Sequence, residues 1–81
     1  MKIKDSSVII TGASYGIGEA LAVLFAKNGA RVALVARSKD KLQKLAQKLP
    51  GSIAIPADMS EPKDIINVVK EVKRQFGRID I

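Results

Sequence analysis

The sequence predicts an α/β fold, the N-terminal half of a doubly wound parallel sheet. Three observations predict it. Short apolar, β-branched runs alternate with longer stretches whose apolar residues recur at helical spacing. Glycine, or proline followed by glycine, closes each helical stretch. A glycine-rich loop joins the first apolar run to the first helix. Continuous apolar runs mark strands buried on both faces, and strands alternating with helices pair in parallel through right-handed crossovers.

The first strand is "SSVIITG". From Gly16 to about Asn28, Ile17, Leu21, Leu24 and Phe25 predict an apolar helical stripe, stopped by Gly29. "ARVALVA" is a second buried strand. Ser38 is placed to cap a helix with Leu42, Leu45, Ala46 and Leu49 on one stripe and lysines opposite, closed by Pro50 and Gly51. "SIAIPAD" is a third strand. Ser60 then offers an N-cap, with Glu61, Pro62 and Asp64 in the favourable first turn. Ile65, Val69, Val72 and Phe76 form the next stripe, Gly77 ends it, and "RIDI" reads as the start of a fourth strand. Residues 1–81 are thus expected to be one partial domain. With so little of the fourth strand, one edge of the first is expected to lie poorly covered.

Composition removes several function classes. The 81 residues include neither cysteine nor histidine, so disulfides, thiolate or imidazole metal sites and Ser–His or Cys–His nucleophile pairs are excluded. The N-terminal "MKIKDSSVIITG" lacks the apolar length and cleavage pattern of a signal peptide, and "ALAVLFA" is far too short to span a bilayer. A soluble, cytoplasmic protein with no membrane partner is expected. The net charge of +6 invites a nucleic-acid reading. The lysines are dispersed, however, and are not interleaved with aromatics, so they read as solvated helix faces with no nucleic-acid partner.

The chemistry lies in "VIITGASYGIGEAL". Gly12 permits a tight turn out of the strand, Gly16 lets backbone approach a ligand, and Gly18 lets the helix pack closely on the sheet. The helix N-terminus offers unpaired N–H groups and a positive dipole end, which suits a dinucleotide pyrophosphate. No Gly-Lys-Ser/Thr follows, which excludes a Walker loop. About 20 residues on, NAD-binding folds place a carboxylate for the ribose 2′-hydroxyl. Here Ala36 is followed by Arg37, Ser38 and Lys39. An arginine clamps a 2′-phosphate with parallel N–H bonds, whereas a carboxylate repels it. A cation opening a helix is mildly unfavourable, so a purely structural Arg37 is less attractive. NADP(H) is therefore the expected cofactor, ahead of NAD(H). Asp58 has two open roles: accepting a hydrogen bond from the adenine amino group, or forming a turn near Ser60.

These motifs, in this order, resemble the short-chain dehydrogenase/reductase family, a Rossmann fold. "TGASYGIG" resembles its cofactor loop, "ALVARS" the second-strand ending of its NADP-preferring members, "PADMS" its adenine-contacting turn, and "FGRIDI" the lead-in to its fourth strand. The resemblance implies contacts to the adenosine ribose phosphate around Ser14 and Tyr15, with Ile17 and Gly18 near the pyrophosphate. It implies Arg37 and Ser38 at the 2′-phosphate, Asp58 at the adenine amino group, Met59 lining the adenine pocket, and Thr11 bracing the loop rather than touching the ligand. The family's catalytic serine and Tyr-x-x-x-Lys are missing from these residues, and Tyr15 with Glu19 is not that pair. A tyrosine needs a neighbouring cation to act near neutral pH, and Glu19 opposes this. The expected function is the NADP(H)-binding portion of an oxidoreductase that transfers hydride between NADP(H) and a carbonyl or alcohol substrate, inactive as 81 residues alone. A non-catalytic dinucleotide-binding module, or a fragment completed by a partner chain or by homo-oligomerisation, is the alternative.

Overall fold

A computed structural model describes residues 4–13 and 16–80 of the chain. The elements run β1 (Ser7–Thr11), α1 (Gly16–Lys27), β2 (Arg31–Ala36), α2 (Lys39–Lys48), β3 (Ile53–Pro56) and α3 (Pro62–Phe76). The strands form one parallel sheet in the order β1-β2-β3, with Ser7 opposite Arg31 and Ala33 opposite Ile53. This is the expected α/β arrangement, a Rossmann-like half sheet.

Strand β2 is central because its sequence suits burial on both faces: Val32, Ala33, Leu34 and Val35 are all at most 1 % exposed. Val32, Leu34 and Ala36 pack with Val8 and Ile10 of β1, Ala22 of α1 and Leu42 and Leu45 of α2. Ala33 and Val35 face the other way, onto Ile55, Val68 and Val72. Helices α1 and α2 thus cover one face and α3 the other. Each fully buried valine or leucine contributes about 1.5–3 kcal/mol of transfer free energy.

Helix α1 departs from the expected stripe. Ile17, Leu21 and Leu24 are exposed, and the helix lies on the sheet through Gly18, Ala22 and Ala26, with Val23 and Phe25 half-buried. The physical reason is the closeness of the approach. A Cβ on Gly18 would overlap the Gly12 carbonyl, so small residues must occupy the contact line and large ones turn aside. Ile17, Leu21 and Phe25 instead line a groove along β1 with Ile9 and Thr11.

Helix α3 is also rotated from expectation. Val68 and Val72 are buried with Phe76 packed beside them, while Ile65 and Val69 are 39 % and 36 % exposed. Its N-cap is Glu61 rather than Ser60, whose hydroxyl is engaged elsewhere. Gly77 closes it in the left-handed region at φ +85°, its N–H bonded to the Lys73 carbonyl at 2.9 Å.

Arg78–Asp80 form no strand, contrary to the expected start of a fourth one, although Asp80 is docked against β1. Its N–H donates to the Ser7 carbonyl at 2.8 Å, and its carboxylate accepts the Ser7 N–H at 2.8 Å. Both Ser7 peptide groups therefore face away from β2. The alternation of a parallel ladder turns those of Ile9 and Thr11 to the same open edge. Among the described residues, Asp80 is the one that bonds to this edge of β1.

Candidate cofactor-binding site

The strands of a parallel sheet all end on one side, and here those ends enclose a pocket of about 570 Å³. Thr11 and Gly12 come from the end of β1, Ala36, Arg37, Ser38 and Lys41 from the β2–α2 junction, and Asp58, Met59 and Ser60 from beyond β3. Two backbone bonds hold these junctions in register. The Ala13 N–H donates to the Val35 carbonyl at 3.2 Å, and the Ala57 N–H to the Ala36 carbonyl at 3.0 Å.

The glycine turn fits a phosphate-bearing ligand. Gly12 and Gly16 have φ of +64° and +62°, a region that disfavours side chains. A Cβ built on either would meet nothing within 4 Å, so open space lies beside both glycines. Gly18, by contrast, is where the first turn of α1 closes onto the Gly12 backbone. One glycine brings the helix terminus to the loop and two leave room before it, which is the cradle a pyrophosphate needs.

The charged groups are sorted by strand. Arg37 is exposed and makes no ion pair; among the described residues only Glu71–Arg74 and Arg78–Asp80 do. Ser38 occupies the N-cap of α2 in extended conformation, yet its side chain makes no capping bond. Lys41, in the first turn of α2, lines the same pocket. Asp58 supplies the opposite sign. Its Oδ1 accepts the Ser60 hydroxyl at 2.6 Å and the Ser60 N–H at 2.9 Å, while its own N–H donates to Asp64 Oδ2 at 2.8 Å. The Ser60 hydroxyl, then its amide, hold the Asp58 carboxyl below the usual carboxylate range against an opposing effect of burial, with the charge of Arg37 adding the least.

The structure brings Gly12, Arg37, Ser38, Asp58 and Met59 together around one pocket, with Thr11 lining it as well. Ile17 and Gly18 line the neighbouring groove along β1, which shares Thr11 with the pocket. Gly16 opens α1, and Ser14 and Tyr15 lie outside the described residues. Sequence reasoning missed Lys41 and Ser60 as pocket residues. Lys41 is disguised among the lysines of an amphipathic helix, and only its spacing of three from Ser38, one helical turn, signals it. Ser60, two residues after Asp58, has the spacing of a side-chain-to-backbone turn, which hides a side chain that also reaches the pocket.

Comparison with known proteins agrees with this architecture. Residues 6–81 match the family model for the short chain dehydrogenases. An uncharacterized oxidoreductase of Staphylococcus saprophyticus is 41 % identical over 98 % of this chain and 33 % of its own length. One of Staphylococcus aureus is 37 % identical over 98 % of this chain and 35 % of its own. Among solved structures, a 3-ketoacyl-(acyl-carrier-protein) reductase from Brucella melitensis, complexed with NADH, superposes with a TM-score of 0.93 at 34 % identity, covering 96 % of this chain and 33 % of that one. A short chain dehydrogenase from Bacillus anthracis gives 0.92 at 37 % identity, over 99 % of this chain and 34 % of that one. The chain thus spans about a third of the length of these relatives. A family match over nearly every residue, joined to a glycine cradle at the strand ends, makes this chain a member of the short chain dehydrogenase family.

Proposed function

We propose that this chain supplies the NADP(H)-holding portion of an oxidoreductase that passes hydride between NADP(H) and a carbonyl or alcohol substrate. The observation that carries the reading is the unpaired Arg37 guanidinium at the end of β2, beside an uncommitted Ser38 side chain and Lys41. Guanidinium matches phosphate with parallel N–H bonds, and no carboxylate stands where a 2′-hydroxyl would be read. Gly12, Gly16, Ile17 and Gly18 border the pyrophosphate, Ser14 and Tyr15 the adenosine ribose phosphate, and Asp58 and Met59 the adenine. The bound dinucleotide would supply the hydride carrier; these residues grip and orient it. The proton relay that the resemblance implies, a serine with Tyr-x-x-x-Lys, is not among these 81 residues. No helix among the described residues is long and apolar enough to cross a membrane, and a cytoplasmic setting fits that reading.

The test is Arg37→Asp. Hydrogen bonds to a charged group contribute about 1.5–3 kcal/mol, so NADPH affinity should fall by about 10- to 100-fold while NADH affinity changes little. Equal losses for both cofactors would show that Arg37 does not read the 2′-phosphate.

A further inference from the structure

Sequence leaves Asp58 two roles, adenine contact or turn former, and the structure makes them one device. The turn is made with a single carboxylate oxygen: Oδ1 accepts both the hydroxyl and the amide of Ser60, at 2.6 and 2.9 Å. Oδ2 has no hydrogen-bond partner among the described residues. The Asp58 backbone is held separately, through its N–H bond to Asp64. A carboxylate free to rotate offers either oxygen in several directions, whereas one held through Oδ1 offers only Oδ2. The Ser60 hydroxyl is not needed to start α3, because the helix begins at Pro62 with Glu61 as its N-cap. Asp58, Met59 and Ser60 line one pocket with Arg37.

We propose that Ser60 is a positioning residue for recognition of the cofactor's base: by occupying Oδ1 of Asp58, it presents Oδ2 as the acceptor for the exocyclic 6-amino group of adenine. The inference rests on the adenine role given to Asp58 above. A 6-oxo purine places an acceptor where adenine places a donor, so a fixed carboxylate rejects it. An aspartate is ionised at neutral pH in any case, acceptor-only as this role requires, and the bonds from Ser60 lower its pKa further.

The experiment compares dissociation constants of NADPH and its hypoxanthine analogue, in which the 6-amino donor becomes a 6-oxo acceptor and N1 gains a hydrogen. The wild-type protein should prefer NADPH by about 10-fold or more. Ser60→Ala should weaken NADPH by about 3- to 10-fold and leave the analogue unchanged, so that the preference shrinks. Ser60→Thr, which keeps the hydroxyl, should restore it. Ser60→Ala weakening both ligands equally, or leaving the preference intact, would overturn the proposal, since a merely structural serine moves both constants together. Should Ser60→Ala disturb the entry to α3, Ser60→Cys gives the same comparison with a weak donor of similar size. A wild-type protein without preference, or a preference that survives Asp58→Ala, would overturn the adenine role of Asp58 and the proposal with it. That result is distinct from failure at Ser60 alone.

Discussion

Arg37 leaves the end of β2 and Asp58 the end of β3, so adjacent strands deliver a cation and an anion to one pocket. Their chemistry is readable from residue type and distance after the glycine loop, because strand ends in a parallel sheet fall on one side. What residue type does not reveal is commitment. Nothing in the string shows that the Ser38 side chain makes no capping bond or that Asp58 spends one oxygen on Ser60. Gly18 is the residue whose identity geometry enforces most strictly. A Cβ there would overlap the Gly12 carbonyl and come within 3.2 Å of the Ala13 Cα, and backbone cannot yield as a flexible side chain can. Gly18→Ala is expected to cost about 1–3 kcal/mol in urea denaturation, through displacement of α1 from the sheet. An unchanged midpoint would show that the helix is not held so close.

At the scale of elements, the order and type of all six follow from apolar runs and glycine stops, while the faces of α1 and α3 do not. A stripe of large apolar residues predicts a buried face only when the neighbouring layer stands at the usual distance. Helix α1 sits closer, on Gly18 and Ala22, and turns Ile17, Leu21 and Leu24 outward. Arg78–Asp80 show the same limit: "RIDI" has the residues of a strand, but Asp80 is held to Ser7, Arg78 to the Asp5 carbonyl and Ile79 against the Val35 and Val68 cluster without strand pairing. That docking is pH-dependent. The Ser7 N–H first, then Arg78, holds the Asp80 carboxyl below its ordinary value, so its contribution is present above the unfolded-state pKa and fades as pH falls through the lower folded one. Protection of the Ser7 amide from hydrogen exchange, corrected for intrinsic rate, should therefore fall on acidification below the ordinary aspartate range. Asp80→Asn should show reduced protection already at neutral pH. Protection that does not change with pH would assign the docking to the backbone bond alone.

At the scale of the molecule, the described residues form a well-packed three-stranded sheet with β1 at one edge. The core is continuous through β2 on both faces, yet the edge of β1 beyond Asp80, beside Ile17 and Leu21, pairs with no strand among the described residues. Open edges flanked by apolar surface associate. The 81-residue chain is accordingly expected to sediment as dimers or larger species at micromolar concentration, and Leu21→Lys should shift it toward monomer; a wild-type monomer would show the edge to be self-protecting. The pocket stands at the strand ends, built from the junctions after β1, β2 and β3, and shares Thr11 with the groove along that edge. The proposal that this chain carries an NADP(H) grip is tested by calorimetric titration of the wild-type chain with NADPH and with NADH. The account predicts saturable binding of both, with NADPH tighter by about 10-fold or more. Equal affinity, or tighter binding of NADH, would contradict it.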